Sequence, residues 1–166
     1  MSVVVDVQYA LEEASEEDAR PPSRGQFEQW VGAVLAGRLT DAELSVRVVG
    51  EQESAALNLA YRRKPGSTNV LSFPAAIPIP LDLPPLGDIV ICAPVVGREA
   101  LEQGKAPEAH WAHMTVHGVL HLLGFDHQTV AGAREMEGLE QEILAGLAYP
   151  DPYRAPAARN ESQEAI

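Results

Sequence analysis

The chain has 166 residues, of which 46% are hydrophobic and 22% charged, with a formal net charge of −12. That composition is one ordinary soluble domain, able to bury roughly 70% of its unfolded surface without a disulfide or metal staple. A single cysteine, Cys92, excludes intramolecular disulfides and suits a reducing cytosol; no apolar run approaches the roughly 20 residues of a membrane span, the amino terminus lacks the basic start of a signal peptide, and the negative charge argues against broad binding to nucleic acid, DNA included, through Lys and Arg on phosphates.

In chain order, Val3 to Tyr9 is β-rich and predicts a strand. Glu12 to Arg24 is acidic and then Pro-rich, a loop or short helix. Phe27, Trp30, Val31, Val34 and Leu35 recur at helical spacing, which predicts an amphipathic helix over Ser23 to Gly37. Leu44, Val46 and Val48 alternate with polar residues in a second strand that ends at Gly50. Gln52 to Tyr61 is helical, and Arg62 to Asn69, with Pro65-Gly66-Ser67, is a loop. Val70 to Phe73 is a short strand. Pro74, Pro78, Pro80, Pro84 and Pro85 make the next segment a long exposed excursion. Asp88 to Ala93 is a fourth strand. Helices follow over Pro94 to Gln103, Pro107 to Leu123 (stopped by Gly124) and Thr129 to Leu147. The prolines at 150, 152 and 156 predict a frayed end from Tyr149, so residues 1–150 are expected to form one domain and 151–166 a flexible tail. Strands interleaved with helices predict an α/β layer with a small sheet.

Two acidic runs, Glu12 to Asp18 and Glu135 to Glu142, read as solvated faces. Consecutive basic residues occur only at Arg62-Arg63-Lys64, so an acidic body carries one spot able to bind phosphate locally.

All five histidines lie between residues 110 and 127. At roughly 100° per residue, His110, His113, His117 and His121 share an arc of about 80° on one helix. The remaining faces carry Trp111, Val116, Val119, Leu122 and Leu123, the pattern of a buried helix. Unpaired polar groups there cost free energy, so the stripe must find partners. Residues 117 to 127 read His-Gly-Val-Leu-His-Leu-Leu-Gly-Phe-Asp-His. Histidines at i and i+4 project from one helical face, Gly124 lets the chain leave the helix, and His127 can return from the loop. Three imidazoles with an open fourth position describe a catalytic zinc site, one ion per chain, on His117, His121 and His127. His113, one turn before His117, is the nearest further donor, and Cys92 is a ligand by chemistry but reads as packing. Asp126 is either support for a ligand or an exposed turn residue.

The spacing matches the metzincin proteases, which place a Glu directly after the first histidine as general base. Here that residue is Gly118, which can neither accept a proton nor orient water. The ion-binding pattern is present without the peptide-cleaving group.

With this motif the chain resembles the YbeY family of bacterial endoribonucleases, which act in ribosomal RNA maturation. Leu57-Asn58, Tyr61-Arg62 and Lys64, the stretch Thr68-Asn69-Val70-Leu71-Ser72-Phe73-Pro74, and Leu86-Gly87-Asp88-Ile89 are similar to further family segments, and Met136 and Glu140 fit the spacing of its last helix. The resemblance spans about residues 45 to 150. At Pro65-Gly66-Ser67 the chain departs from the family, which has Asp after the lysine and Pro two residues later.

The resemblance implies an α/β (α+β) fold: a mixed sheet of four strands flanked by about five helices, with the metal-binding helix in the core and the metal in a cleft. It implies zinc on His117, His121 and His127, chemistry by Arg62 and His117, single-stranded RNA as substrate, and a cytoplasmic role in 3′-end processing of 16S ribosomal RNA on the small ribosomal subunit and in ribosome quality control. A metal-bound water is the simplest nucleophile in the absence of a Glu base, and the planar fork of Arg62 suits a charged phosphoryl group. The alternatives are a non-catalytic ribosome-binding factor with a structural zinc and, disfavoured by Gly118, a metallopeptidase.

Overall fold

The computed structural model describes residues 2–11, 20–75 and 85–154. The acidic segment 12–19, most of the Pro-rich excursion (76–84) and the end of the chain (155–166) lie outside the described residues.

The elements follow the order β1 (Ser2–Ala10), α1 (Arg24–Leu35), β2 (Asp41–Val49), α2 (Glu51–Arg62), β3 (Val70–Pro74), β4 (Pro85–Cys92), α3 (Ala93–Gln103), α4 (Pro107–Leu122) and α5 (Val130–Gly146). Four strands and five helices form the expected α/β architecture. The sheet is mixed, in the order β1-β2-β4-β3: β1 and β2 run parallel, as do β2 and β4, while β3 is antiparallel to β4. β4 begins at Pro85, three residues before the expected start, because Leu86 O accepts from Ala75 N at 3.0 Å and the ladder with β3 extends to Gly87. Among the described residues β3 is therefore an edge strand, with one side of its backbone unpaired in the sheet.

Local chemistry sets the helix ends. Ser23 and Gln26 close a capping box at the start of α1. Thr129 caps α5 by accepting from Gly132 N at 2.9 Å. Pro94 and Pro107 occupy first-turn positions of α3 and α4, where the missing N–H costs nothing.

Helix α4 is the centre of the molecule. Eleven of its sixteen residues are buried, and it packs against β3, β4, α1, α3 and α5. Phe27, Trp30 and Trp111, all essentially without exposure, meet edge to face at 5.7 and 6.2 Å beside it. The opposite sheet face holds a smaller cluster of Val49, Leu71, Val90, Cys92 and Val95. Cys92 thus packs away from the histidines, and burial pushes its thiol pKa up. Among the described residues no helix is long and apolar enough to cross a membrane.

Residues 149–154 lie against the body: the Tyr149 hydroxyl accepts from Trp30 Nε1 at 3.2 Å and donates to Glu108 at 2.5 Å. The prolines at 150 and 152 stiffen this segment rather than release it, since a fixed φ lowers the entropy lost on ordering.

Gly118 explains how closely α4 approaches the sheet. A Cβ there would lie 2.8 Å from Ile89 Cγ2 and 3.4 Å from Val70 Cγ2. Ser72 Oγ donates to Gly118 O at 3.2 Å, which ties β3 to the same point. Alanine favours a helix interior by about 1 kcal/mol over glycine, but Ile89 is fully buried and its Cγ2 sits on a branched carbon that cannot swing away. Overpacking of this kind costs about 1–3 kcal/mol. Gly118→Ala is therefore expected to melt several degrees below the wild type in calorimetry; an unchanged or higher melting temperature would mean that Ile89 yields.

Candidate metal centre

The stripe of four histidines on α4 is resolved by carboxylates. His110 Nε2 donates to Glu99 Oε1 at 2.8 Å, and Asn69 Nδ2 bonds both Glu99 oxygens at 3.1 and 3.2 Å. His113 Nε2 donates to Glu140 Oε1 at 2.9 Å, and His117 Nδ1 donates to Glu140 Oε2 at 2.6 Å. Tyr153 Oη adds a short hydrogen bond to Glu140 Oε1.

Glu140 corrects one expectation. It belongs to the acidic run read as a solvated face, and Glu135, Glu137 and Glu142 are indeed exposed. Glu140 has no exposure at all. Burial alone would raise its pKa, but hydrogen bonds from His113, His117 and Tyr153, with the charge of His117, outweigh burial and lower it to about 2. The sequence signal was available: Glu140 is four residues after the buried Met136 and four before the buried Leu144, on the apolar stripe of α5.

These bonds fix tautomers. An ionised carboxylate only accepts, so Nδ1 of His117 carries a proton, and in the neutral ring Nε2 is the bare nitrogen. His113 carries its proton on Nε2, toward Glu140, and its Nδ1 is buried with no partner among the described residues. With Nε2 committed to Glu140 and Nδ1 buried, His113 stands outside the converging triad.

Leu123 ends α4, and Gly124 at φ +103 takes a backbone conformation that side chains rarely adopt. Phe125 N then bonds Leu120 O at 3.1 Å, and the reversed chain brings His127 back over the helix. Ring centroids of His117, His121 and His127 stand 5.8, 5.4 and 5.7 Å apart, and one ligand atom from each lies within 4.8 Å of the others. Zinc–nitrogen bonds of roughly 2.0–2.1 Å hold tetrahedral donors roughly 3.4 Å apart, so small side-chain rotations close the triangle. Burial and the neighbouring His117 and His127 hold the His121 pKa below its usual value, with Arg62 acting in the same direction. An imidazole kept neutral is an imidazole ready to ligate. Three converging imidazoles, one oriented by a buried carboxylate, fit a transition-metal ion.

The triad stands in a cleft of about 1010 Å³. His121, His127 and Gln128 line it, together with Tyr61, Arg62 and Lys64. Asn69 and the edge strand Val70 to Pro74 line it as well. Arg62, the last residue of α2, is exposed and forms no ion pair among the described residues. The loop after it, at Pro65-Gly66-Ser67, is held by two buried side chains of α2: Asn58 Nδ2 donates to Gly66 O at 2.9 Å, and Ser54 Oγ bonds both Thr68 N and Thr68 O at 3.0 Å. Tyr61 is 67% exposed and meets Phe73 edge-on at 4.8 Å. Asp126 accepts from Gln128 N at 3.1 Å, as a turn residue does. Asp88 is not in the cleft; it accepts from Ser45 on the opposite sheet face.

In metal-free protein the Glu140 network has a pH signature. Its folded pKa, near 2, lies below the unfolded value of 4.5, so its stabilisation is fully present above about pH 4.5 and is lost as pH falls through 2. The size is on the order of 3 kcal/mol. Urea unfolding of chelator-treated wild type and Glu140→Gln should show a wide stability gap at pH 6 that narrows steadily below pH 4.5. A gap of equal width at pH 6 and pH 3 would refute an ionised Glu140.

The family model described as Endoribonuclease YbeY matches residues 11–148. Endoribonuclease YbeY of Nitrosococcus oceani is 54% identical over 157 residues, covering 93% of this chain and 99% of the relative. The protein of the same name from Pseudomonas entomophila is 56% identical over 137 residues, covering 82% and 87%. In fold, the chain is similar to TM1509 from Thermotoga maritima, with a TM-score of 0.54 at 20% identity over 91% of this chain and 99% of that one. With a family model that spans most of the chain and relatives above half identity, this protein belongs to the YbeY endoribonuclease family.

Proposed function

We propose that the chain is a zinc-dependent endoribonuclease that cuts single-stranded RNA, acting in 3′-end maturation of 16S ribosomal RNA and in ribosome quality control in the cytoplasm. Family membership supports RNA as the substrate. The observation that carries the reading is the presence of three converging imidazoles in one cleft with Arg62, the first residue of the chain's only basic cluster.

His117, His121 and His127 would hold the ion. When bound, zinc supplies a water of lowered pKa and polarises a phosphoryl oxygen. The chain's own residues bind and orient. Arg62 faces the cleft unpaired, so its guanidinium is free to take two oxygens of a phosphodiester whose charge grows in the transition state. The exposed ring of Tyr61, steadied by Phe73, offers a flat surface to an unpaired base, which single-stranded RNA can present and a duplex cannot. The free edge of β3 adds backbone donors and acceptors along the cleft. Glu140 keeps His117 in the Nδ1–H tautomer. A protease's carboxylate at position 118 would point into Ile89 rather than into the cleft, so peptide hydrolysis is not expected.

Zinc content measured on purified protein should be close to one ion per chain, and His121→Ala should lose most of it, since two imidazoles bind poorly. Full retention in separate Ala variants of His117, His121 and His127 would end the assignment. A chelator should abolish RNA cleavage, and zinc should restore it; bound zinc without cleavage of any RNA would favour the non-catalytic ribosome-binding factor.

Arg62→Ala should bind zinc and melt as the wild type does while cutting RNA on the order of 100-fold more slowly. Arg62→Lys should recover little, because a point charge cannot make the forked contact. Arg63→Ala should matter much less. Equal losses at Arg62 and Arg63 in a cleavage assay would indicate plain electrostatic attraction of RNA instead.

A further inference from the structure

The family match ends at residue 148, yet the residues that follow reach the metal centre. Tyr149 N bonds Leu144 O at 2.9 Å as α5 ends, and the Tyr149 ring meets Trp30 edge to face at 6.3 Å. Asp151 then pins the segment in two directions. Both its oxygens accept from Gln141 Nε2 at 3.1 Å, and Oδ1 also accepts from Tyr153 N at 2.9 Å. With Pro150 and Pro152 on either side of Asp151, the path of the chain is nearly fixed before Tyr153 is placed.

Tyr153 lines the cleft that holds the three histidines. Its hydroxyl donates to Glu140 Oε1 and stands 3.4 Å from His113 Nε2. Its ring meets the His113 ring edge to face at 5.5 Å. Glu140 thus has three donors on two oxygens: His117 alone on Oε2, with His113 and Tyr153 on Oε1. A carboxylate with no exposure keeps a fixed orientation only while its oxygens are held, because rotation about its last bond would unpair a buried charge.

We propose that residues 149–154 form a strap closing the back of the metal centre, and that Tyr153 is a positioning residue whose hydroxyl holds Glu140 so that His117 presents Nε2 to the ion. The inference rests on the reading of His117, His121 and His127 as ligands. Tyr153 acts through Glu140 and touches no ligand nitrogen. Its loss should therefore cost less than the 10–100-fold in metal affinity typical when a ligand's own hydrogen-bond partner is removed.

The test uses the full chain in four forms: wild type, Tyr153→Phe, Tyr149→Phe and His121→Ala. Zinc affinity is measured by competition with a chromogenic chelator. The melting temperature of the metal-free form and the ring ¹⁵N resonances of His117 are recorded beside it. Tyr153→Phe keeps the ring and removes only the hydroxyl. It should weaken zinc binding roughly 3–10-fold and shift the His117 ring resonances toward a mixture of tautomers, with little change in metal-free melting. Tyr149→Phe, on the same segment but away from Glu140, loses the bonds to Glu108 and Trp30; it should lower the melting temperature and leave zinc affinity alone. Wild-type zinc affinity and an unmoved His117 spectrum in Tyr153→Phe would overturn the positioning role, as would a fall in metal-free melting with zinc affinity unchanged. Those outcomes leave the ligand assignment standing if His121→Ala has lost its zinc. Zinc retained in His121→Ala would overturn the ligand assignment itself, and the strap proposal with it.

Discussion

A carboxylate with no solvent exposure sits at the centre of this molecule, and the rest of the site is arranged around its needs. Taking an ion out of water costs several kcal/mol unless it is paired and hydrogen-bonded. Glu140 meets that condition with donors from two turns of α4 and one from the chain end. The consequences run outward. Ionised Glu140 sets a proton of His117 on Nδ1, so that in the neutral ring the bare nitrogen is Nε2. It commits His113 on Nε2 and so keeps a fourth imidazole out of the triad. Glu99 does the same for His110 one turn earlier. The two acids pair three of the four histidines of this helix; without them His110, His113 and His117 would each bring a further unpaired polar nitrogen into an apolar layer.

The second constraint is distance. α4 lies against β3 and β4 closely enough that a single methyl at position 118 would collide with Ile89. The cleft is lined both by Val70 to Pro74 of the edge strand and by the imidazoles of His117, His121 and His127. Gly118 stands where peptidases of equal histidine spacing carry a general base, and in space a side chain there would meet Ile89.

Charge is divided in a way that suits a selective nuclease. The body is acidic, and its three consecutive basic residues begin at the end of α2, where Asn58 and Ser54 tie down the following loop. An acidic surface repels nucleic acid in general, while one basic lip beside a metal cleft attracts a phosphate locally. On the proposed reading, binding would depend on fit to the cleft rather than on bulk attraction, and the exposed Tyr61 ring would favour a strand whose bases are free to stack.

Much of this was legible from sequence because the signals are local. Alternating Leu44, Val46 and Val48, the capping box at Ser23 and Gln26, and proline at the starts of α3 and α4 each report on a few neighbouring residues. The 117–127 histidine spacing is also local, since one helix and one glycine turn bring those rings together whatever surrounds them. Strand order was not local: that β4 lies between β2 and β3, leaving β3 as the free edge lining the cleft, depends on pairing between distant segments. Glu140 and Tyr153 were missed for the same reason. In the sequence one is a glutamate in an acidic run and the other a tyrosine among prolines, and both readings assume water as the default partner. Their true partners lie 23 to 40 residues away on α4 or, for Tyr153, 13 residues back on α5. The sequence by itself determined which atoms could hold a metal; only the tertiary structure decided which nitrogen of each ring is free to do so, because a tautomer is set by the hydrogen bond on the far side of the ring, and that bond forms only when α5 and the chain end close against α4.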